Sequence, residues 1–341
     1  YVSFRAVQIL VEIYDGHLTK LCPLDVSYFL LFFPSILSGP LDRYQRFSAD
    51  LQKTGSPEDY EALLREGLWR LATGAIYNFV LGNLIWQYWV SCMPDTLLGT
   101  LGYMYGYTLF MFFNFAGYSR MAIGTAYLLG IEQPENFNQP FRSVDMKDFW
   151  SRWHISLSTW FREYVYIPLG GNRRGKLRQY RNIAVVWLLT GFWHGASWNF
   201  LLWGAYFCVL LIVEKLFLYK WLQKAPAVLA HLYTMFFVCI SWLIFYFTDL
   251  GEGLTCLKAM FGVGVSSFAT PTVVYDLLRY LPLLLICVLA ATPLPKRLFD
   301  ALKNRFVTMR YAQVLLIAGA FLVITAYLVD STFSPFLYYR F

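Results

Sequence analysis

Residues 183–213 read IAVVWLLTGFWHGASWNFLLWGAYFCVLLIV, thirty-one positions without one charged side chain. As a single straight helix this run would be about 46 Å long at ~1.5 Å per residue, against a hydrocarbon layer of ~30 Å. Gly191, Gly195, Ser197 and Asn199 cluster in its middle, where glycine and small polar residues break a helix. The run is therefore expected to form two helices that meet inside a membrane, with His194 at the break.

The rest of the chain supports a membrane setting. Of its 341 residues 58% are hydrophobic, 20% aromatic and only 14% charged, whereas a soluble domain carries about 25% charged residues. Disorder, a disulfide scaffold and most soluble enzymes are excluded by that composition. A charged residue at mid-bilayer costs roughly 2.5–3.5 kcal/mol on insertion scales, so uncharged runs mark spans. Leu71–Pro94, Thr96–Ser119, Ala225–Thr248 and Tyr311–Val329 each qualify, while Val26–Leu41 and Tyr280–Pro295 are short or interrupted by proline and are expected to be tilted, partial or re-entrant. The expected fold is an all-α, polytopic helical bundle, one transmembrane domain over 1–341. The six cysteines show no CxxC or Cys/His ligand spacing and read as inert thiols, and no metal site is expected. The chain opens YVSFRAVQIL without Met or a basic segment before an apolar core, so no signal peptide is expected and the natural N-terminus is expected to be missing.

Between the spans, 143–181 interleaves Trp150, Trp153 and Trp160 with Arg152, Arg162 and Glu163, then ends in the basic run Arg173, Arg174, Lys176, Arg178 and Arg181. Aromatics among cations suit a partly helical segment at headgroup depth, facing membrane lipids or a carrier. Pro168-Leu169-Gly170-Gly171-Asn172 should end it in a turn. The net charge of +7 then reflects cytoplasmic basic loops rather than nucleic-acid binding, and places 172–181 and 296–310 inside the cell. One further crossing puts the tail 331–341, STFSPFLYYRF, outside. Its aromatics read either as a membrane-interface anchor or as something that functions there.

Of the four histidines, His194 lies in the middle of the longest uncharged run, where an ionisable group is costly unless bonded or facing water. Burial favours the neutral ring, which can accept a proton as a general base does. The alternative is a histidine bonded to a neighbouring helix's backbone. His154, forty residues earlier at the start of the interfacial helix, is more easily satisfied by headgroups or water; His17 and His231 read as structural. No Ser/His/Asp or paired-carboxylate constellation appears. A buried base without a nucleophile of its own suits deprotonation of an incoming hydroxyl, which is acyl transfer to an alcohol.

The stretch Phe149-Trp150-Ser151-Arg152-Trp153-His154, with Trp160-Phe161-Arg162-Glu163-Tyr164 and Trp193-His194-Gly195, resembles the signature of the membrane-bound O-acyltransferase family. Ser38-Gly39-Pro40-Leu41-Asp42-Arg43-Tyr44, Tyr103-Met104-Tyr105-Gly106-Tyr107, Phe115-Ala116-Gly117-Tyr118 and Pro134-Glu135-Asn136-Phe137-Asn138 are similar to its bacterial cell-envelope branch, as found in members that move D-alanine to teichoic acids. The block Tyr166-Ile167-Pro168-Leu169-Gly170-Gly171-Asn172-Arg173 looks more like the alginate-acetylating members. Asn114 stands where relatives often carry Asp. The resemblance implies a bundle with broken or re-entrant helices around a central tunnel in the bacterial plasma membrane. It implies catalytic His194, a second functional His154 on the same tunnel, and Trp153, Ser156, Arg162, Trp193 and Asn199 around the tunnel or donor. It gives the tail a meaning as well: Phe336-Leu337-Tyr338-Tyr339-Arg340-Phe341 resembles an acyl-receiving motif, with Tyr338 as carrier. Eleven residues beyond Asp330 reach at most about 36 Å, enough to fold back. No bound cofactor is implied. The donor would be a thioester on a cytoplasmic phosphopantetheinyl carrier protein or on coenzyme A, and an extracytoplasmic partner enzyme would accept the acyl group. D-alanyl is favoured over O-acetyl of a polysaccharide or peptidoglycan. A transporter or an inactive scaffold are the competing readings, and no second copy of the Trp-His-Gly or Ser-Gly-Pro motifs suggests the repeats of a transporter.

Overall fold

The structure, a computed structural model, describes residues 1–92, 94–306 and 308–330; Tyr338 and the rest of the tail lie outside the described residues. Two short helices, α1 (Val2–Tyr14) and α2 (Pro23–Leu30), precede α3 (Tyr44–Gln52). A Ser56/Asp59 capping box with Pro57 at its first position starts α4 (Pro57–Ala75), which runs through a π-helical stretch, Ile76–Gly82, into α5 (Asn83–Ser91). The long α6 (Leu97–Leu128) is capped by Thr96. An irregular segment leads to α7 (Met146–Arg152) and α8 (Ile155–Phe161), followed by α9 (Lys176–His194) and α10 (Trp198–Val213). The remainder is α11 (Tyr219–Leu222), α12 (Ala227–Tyr246), α13 (Leu250–Ala259), α14 (Pro271–Ala290), α15 (Leu294–Arg305) and α16 (Thr308–Asp330). Among the described residues there is no strand, only isolated bridges Thr96/Ser267 and Phe137/Trp153.

The 31-residue run breaks where its glycine and polar cluster predicts. α9 ends at His194, and Gly195-Ala196-Ser197 turn the chain into α10. The two helices then fold back along each other with their backbones touching: a Cβ on Gly191 would collide with the Phe200 carbonyl, and one on Gly204 with that of Trp187. Small residues at such crossings let helices approach where lipid gives no hydrophobic drive between them. The same device joins α4 to α6. Gly67 faces Gly124 and Gly74 faces Gly117, so that a Cβ on Gly74 would lie 2.7 Å from the Gly117 oxygen. Asn78 Nδ2 donates to the Asn114 carbonyl at 2.8 Å beside that contact.

Among the described residues four helices are long and apolar enough to cross a membrane: Trp198–Leu222, in which α10 continues through a π turn into α11, then Ala227–Tyr246, Pro271–Ala290 and Tyr311–Val329. The third corrects the sequence expectation of a short, proline-interrupted segment. The charge rule cut the run at Arg279, yet α14 carries Asp276 and Arg279 within a twenty-residue helix and Pro282 inside it. Of Leu71–Pro94 and Thr96–Ser119, residues 71–91 and 97–119 are helical, but these segments do not join the four; rich in tyrosine, tryptophan and asparagine, they pack into the aromatic core with Trp89, Phe110, Trp203, Phe207 and Trp242. Val26–Leu41 is short, as expected: α2 and one 3-10 turn, Phe33–Ser35. Buried Arg5 holds it, donating to the carbonyls of Phe29 and Leu30 at the end of α2 and to Ser35. The turn predicted at Pro168–Asn172 is present, with Gly170 and Gly171 at φ 99° and 53°, and Asn182 Nδ2 pins it by donating to the carbonyls of Leu169 and Gly171.

Gly204→Ala should destabilise the α9–α10 crossing by about 1–3 kcal/mol, the usual cost of overpacking, read as a lower thermal midpoint in detergent. Gly319→Ala on α16, where a Cβ meets nothing within 4 Å, should not lower it.

Candidate functional site

His154 joins α7 to α8 in the left-handed region (φ 48°), one of two non-glycine residues at positive φ among the described residues. Such a backbone persists only when its surroundings fix it. Here a two-strand-like clasp does so: Asn138 N donates to Arg152 O at 2.9 Å and Ile155 N to Asn136 O at 3.0 Å. The side chains repeat the clasp. Asn136 Oδ1 accepts from Ser156 N (3.2 Å), from Ser156 Oγ (2.8 Å) and from His154 Nδ1 (3.0 Å). A backbone N–H can only donate, so the Asn136 atom it meets is the oxygen, and His154 must carry its proton on Nδ1. Its Nε2 lone pair then accepts from the Tyr1 hydroxyl at 3.2 Å. Ser156 Oγ also accepts from Leu41 N at 3.0 Å, tying the Ser38–Tyr44 block to the histidine.

His194 sits at the end of α9 with its ring against the edges of Trp203 and Phe245, each 5.0 Å away between centroids. Trp193 lies between the two histidines, 6.2 Å from the His154 ring and 4.6 Å from that of His194. Unlike His154, His194 leaves Nδ1 buried with no hydrogen-bond partner among the described residues, so that nitrogen is not spent on a neighbouring backbone. Asn199 is fully buried; its Nδ2 donates to the Phe245 carbonyl at 2.8 Å while its Oδ1 is also unpartnered among the described residues. An orphaned buried polar atom costs about 1–3 kcal/mol, and two of them stand beside Phe245.

The other residues singled out from sequence separate. Trp153 is packed in the aromatic core, stacked on Phe149 and 5.0 Å from Trp242. Arg162 is exposed and makes no ion pair among the described residues. His231 has a structural partner, Nδ1 against the Ser143 carbonyl at 3.1 Å, and His17 is exposed. Among the described residues no group of three His, Cys, Asp or Glu side chains could hold a metal. Sequence reasoning missed Asn136 as a working residue, although it quoted the block that contains it. It also missed buried Glu12, which accepts from the Tyr164 hydroxyl and from Gln45 Nε2, and it took Asp42 only as a motif letter.

Asp42 is buried and accepts from Arg43 N, Arg46 Nε and Gln133 Nε2. Burial pushes its carboxyl up to about 6, outweighing the downward pull of Arg46. Arg43 stacks on Tyr164 at 5.2 Å and pairs with Glu163 at 2.6 Å.

With this geometry in view, the sequence pattern of the membrane-bound O-acyltransferase family matches residues 11–254. The chain is similar to the teichoic acid D-alanyltransferase of Bacillus subtilis (strain 168), 40% identical over 72% of this chain and 67% of that protein. It is also similar to the probable alginate O-acetylase AlgI of Azotobacter vinelandii, 33% identical over 77% and 53%. A third relative is the peptidoglycan O-acetyltransferase of Helicobacter pylori, 33% identical over 71% and 48%. The chain thus spans between about half and two thirds of the length of these relatives.

Asn136→Ala strands three donors and should cost about 1–3 kcal/mol, whereas Asn136→Asp, which keeps the acceptor, should keep more of the thermal stability; equal losses would show that the oxygen is not what holds His154. For Asp42 the sign is set by linkage. A carboxyl whose folded pKa of about 6 exceeds an unfolded value near ~3.9 binds its proton more tightly when folded, so its stabilisation is full at low pH and lost as pH rises through 6. The thermal midpoint should therefore fall from about pH 5 to about pH 7 in the wild type and less in Asp42→Asn; identical slopes would contradict the assignment.

Proposed function

This chain belongs to the membrane-bound O-acyltransferase family, and from that premise we propose that it passes an acyl group from a cytoplasmic thioester across a bacterial plasma membrane to an acceptor hydroxyl. The observation that carries this reading is His194, whose buried Nδ1 has no partner among the described residues and, with the ring's hydrogen on Nε2, is free to take a proton. The step is written on that nitrogen. The neutral ring accepts the proton of an acceptor hydroxyl as its oxygen attacks the thioester carbonyl. The C–S bond then breaks, and the departing thiolate takes the proton back from the imidazolium. Asn199 Oδ1, also unpartnered among the described residues, suits a donor group on the substrate. His154, with both ring nitrogens bonded, supports Trp193 and lines the same region rather than serving as the base.

Tyr338 is proposed as the first acceptor. A phenol with pKa near ~10 is neutral at pH 7 and needs a base, and the tyrosyl ester would be discharged outside to a partner enzyme that esterifies a cell-envelope polymer. Arg173, Arg174, Lys176 and Arg178 are exposed beside the turn before α9, a basic surface that fits an anionic donor, either a phosphopantetheinyl carrier protein or acyl-coenzyme A. Positive loops on the cytoplasmic side put the C-terminus outside. D-alanyl is the favoured acyl group, supported by the likeness to the Bacillus subtilis protein; O-acetyl is the second reading, supported by the alginate and peptidoglycan relatives.

His194→Ala should abolish transfer while the protein still folds, and retained activity would sink the mechanism. Peptide mass spectrometry after incubation with candidate thioesters should find an increment on the C-terminal peptide of the wild type and none in Tyr338→Phe. No increment in an active enzyme would mean direct transfer to another acceptor.

A further inference from the structure

Away from the histidines, a cavity of about 300 Å³ lies between α5, α6 and α14. That is the low end of the range of about 300–1,000 Å³ for small-molecule sites, room for one chain of a lipid rather than two. One wall is α14, only 6% of whose apolar window is buried within the protein, so that wall is left in contact with the bilayer on its outer side.

Its chemistry is graded along the helices. Ser91, the last residue of α5, and Asp276, in the second turn of α14, stand at the loop end; Tyr88, Tyr105 and Leu284 lie deeper. The loop end is fixed in place, because Ser266 N donates to Asp95 O at 2.9 Å and Leu98 N to Phe268 O at 2.9 Å, stitching the loop before α14 to the α5–α6 turn. Gly102 forms part of the lining, and a Cβ there would come 2.8 Å from the Tyr88 hydroxyl. Among the described residues no lysine or arginine lines the cavity; Arg279 instead covers the Tyr280 ring at 5.3 Å. A carboxylate without a cation repels phosphate-bearing headgroups and accepts hydrogen bonds from hydroxyls.

We propose that this cavity binds one acyl chain of an uncharged, hydroxyl-bearing lipid, diacylglycerol or a glycosylated diacylglycerol, with a head hydroxyl on Asp276. On the topology proposed above the mouth opens in the outer leaflet, where it could hold the lipid anchor of an acceptor polymer. That placement rests on the proposed function; the binding does not.

The test is photo-crosslinking in nanodiscs with diacylglycerol, glucosyl-diacylglycerol and phosphatidylglycerol probes bearing a diazirine on the acyl chain, followed by peptide mapping. The uncharged probes should label 88–105 and 273–284 roughly tenfold more than phosphatidylglycerol, whose phosphate the Asp276 carboxylate repels. Asp276→Lys should reverse the preference. Leu277→Trp, which fills the cavity from the α14 side, should remove the labelling at an unchanged thermal midpoint. His194→Ala should label like the wild type, so a failed transfer mechanism would leave this result standing. Labelling by only one uncharged probe would support the site and name its source. Equal labelling by uncharged and anionic probes, labelling spread evenly over α16, or full labelling of Leu277→Trp would overturn it.

Discussion

Two helices whose backbones touch hold this molecule's centre together. Where α9 and α10 fold back on each other, Gly191 and Gly204 leave no room for a side chain, and that contact sets the end of α9, with His194 on it, against Trp203 and Phe245. Apolar surroundings offer no solvent to satisfy a broken helix, so the break at Gly195 is tolerable only because α10 closes over it at once. The four glycines between α4 and α6 do the same for the other half. They bring Phe115 of α6 edge-on to His154, 4.8 Å between centroids.

The two histidines differ in what their surroundings leave unfinished. His154 is bonded at both nitrogens and its tautomer is dictated by an asparagine eighteen residues away. His194 keeps a buried nitrogen unpartnered among the described residues. Under the proposed function, His154 positions and His194 meets the hydroxyl that arrives. Trp193 between them makes one aromatic wall of the pair.

The chemistry of acyl transfer is shared by the D-alanyl and acetyl readings, because both move an activated carbonyl from sulfur to oxygen. On the proposed function, what separates them is the donor and the acceptor, and the exposed basic residues beside the turn before α9 would suit the anionic donor of either without choosing between them.

Much of this was legible in the chain. The break in the 31-residue run, the helical bundle and the turn at Gly170 and Gly171 follow from spacing and hydropathy, which are local properties. The span at α14 was misjudged because a rule that ends a span at a charge cut the run at Arg279, whereas the helix continues through it; a long arginine side chain can carry its charge towards the interface while its stem stays in apolar surroundings. Asn136 as a working residue was illegible, since nothing in Pro-Glu-Asn-Phe-Asn says which distant donors its oxygen will meet. Trp153, Arg162 and Asn199 carried the same weight in the sequence, and packing sent them to the core, the surface and a half-satisfied pocket. Sequence pattern determines where helices start, stop and break; which polar atoms end up paired is decided only when segments far apart in the chain are brought within 3 Å.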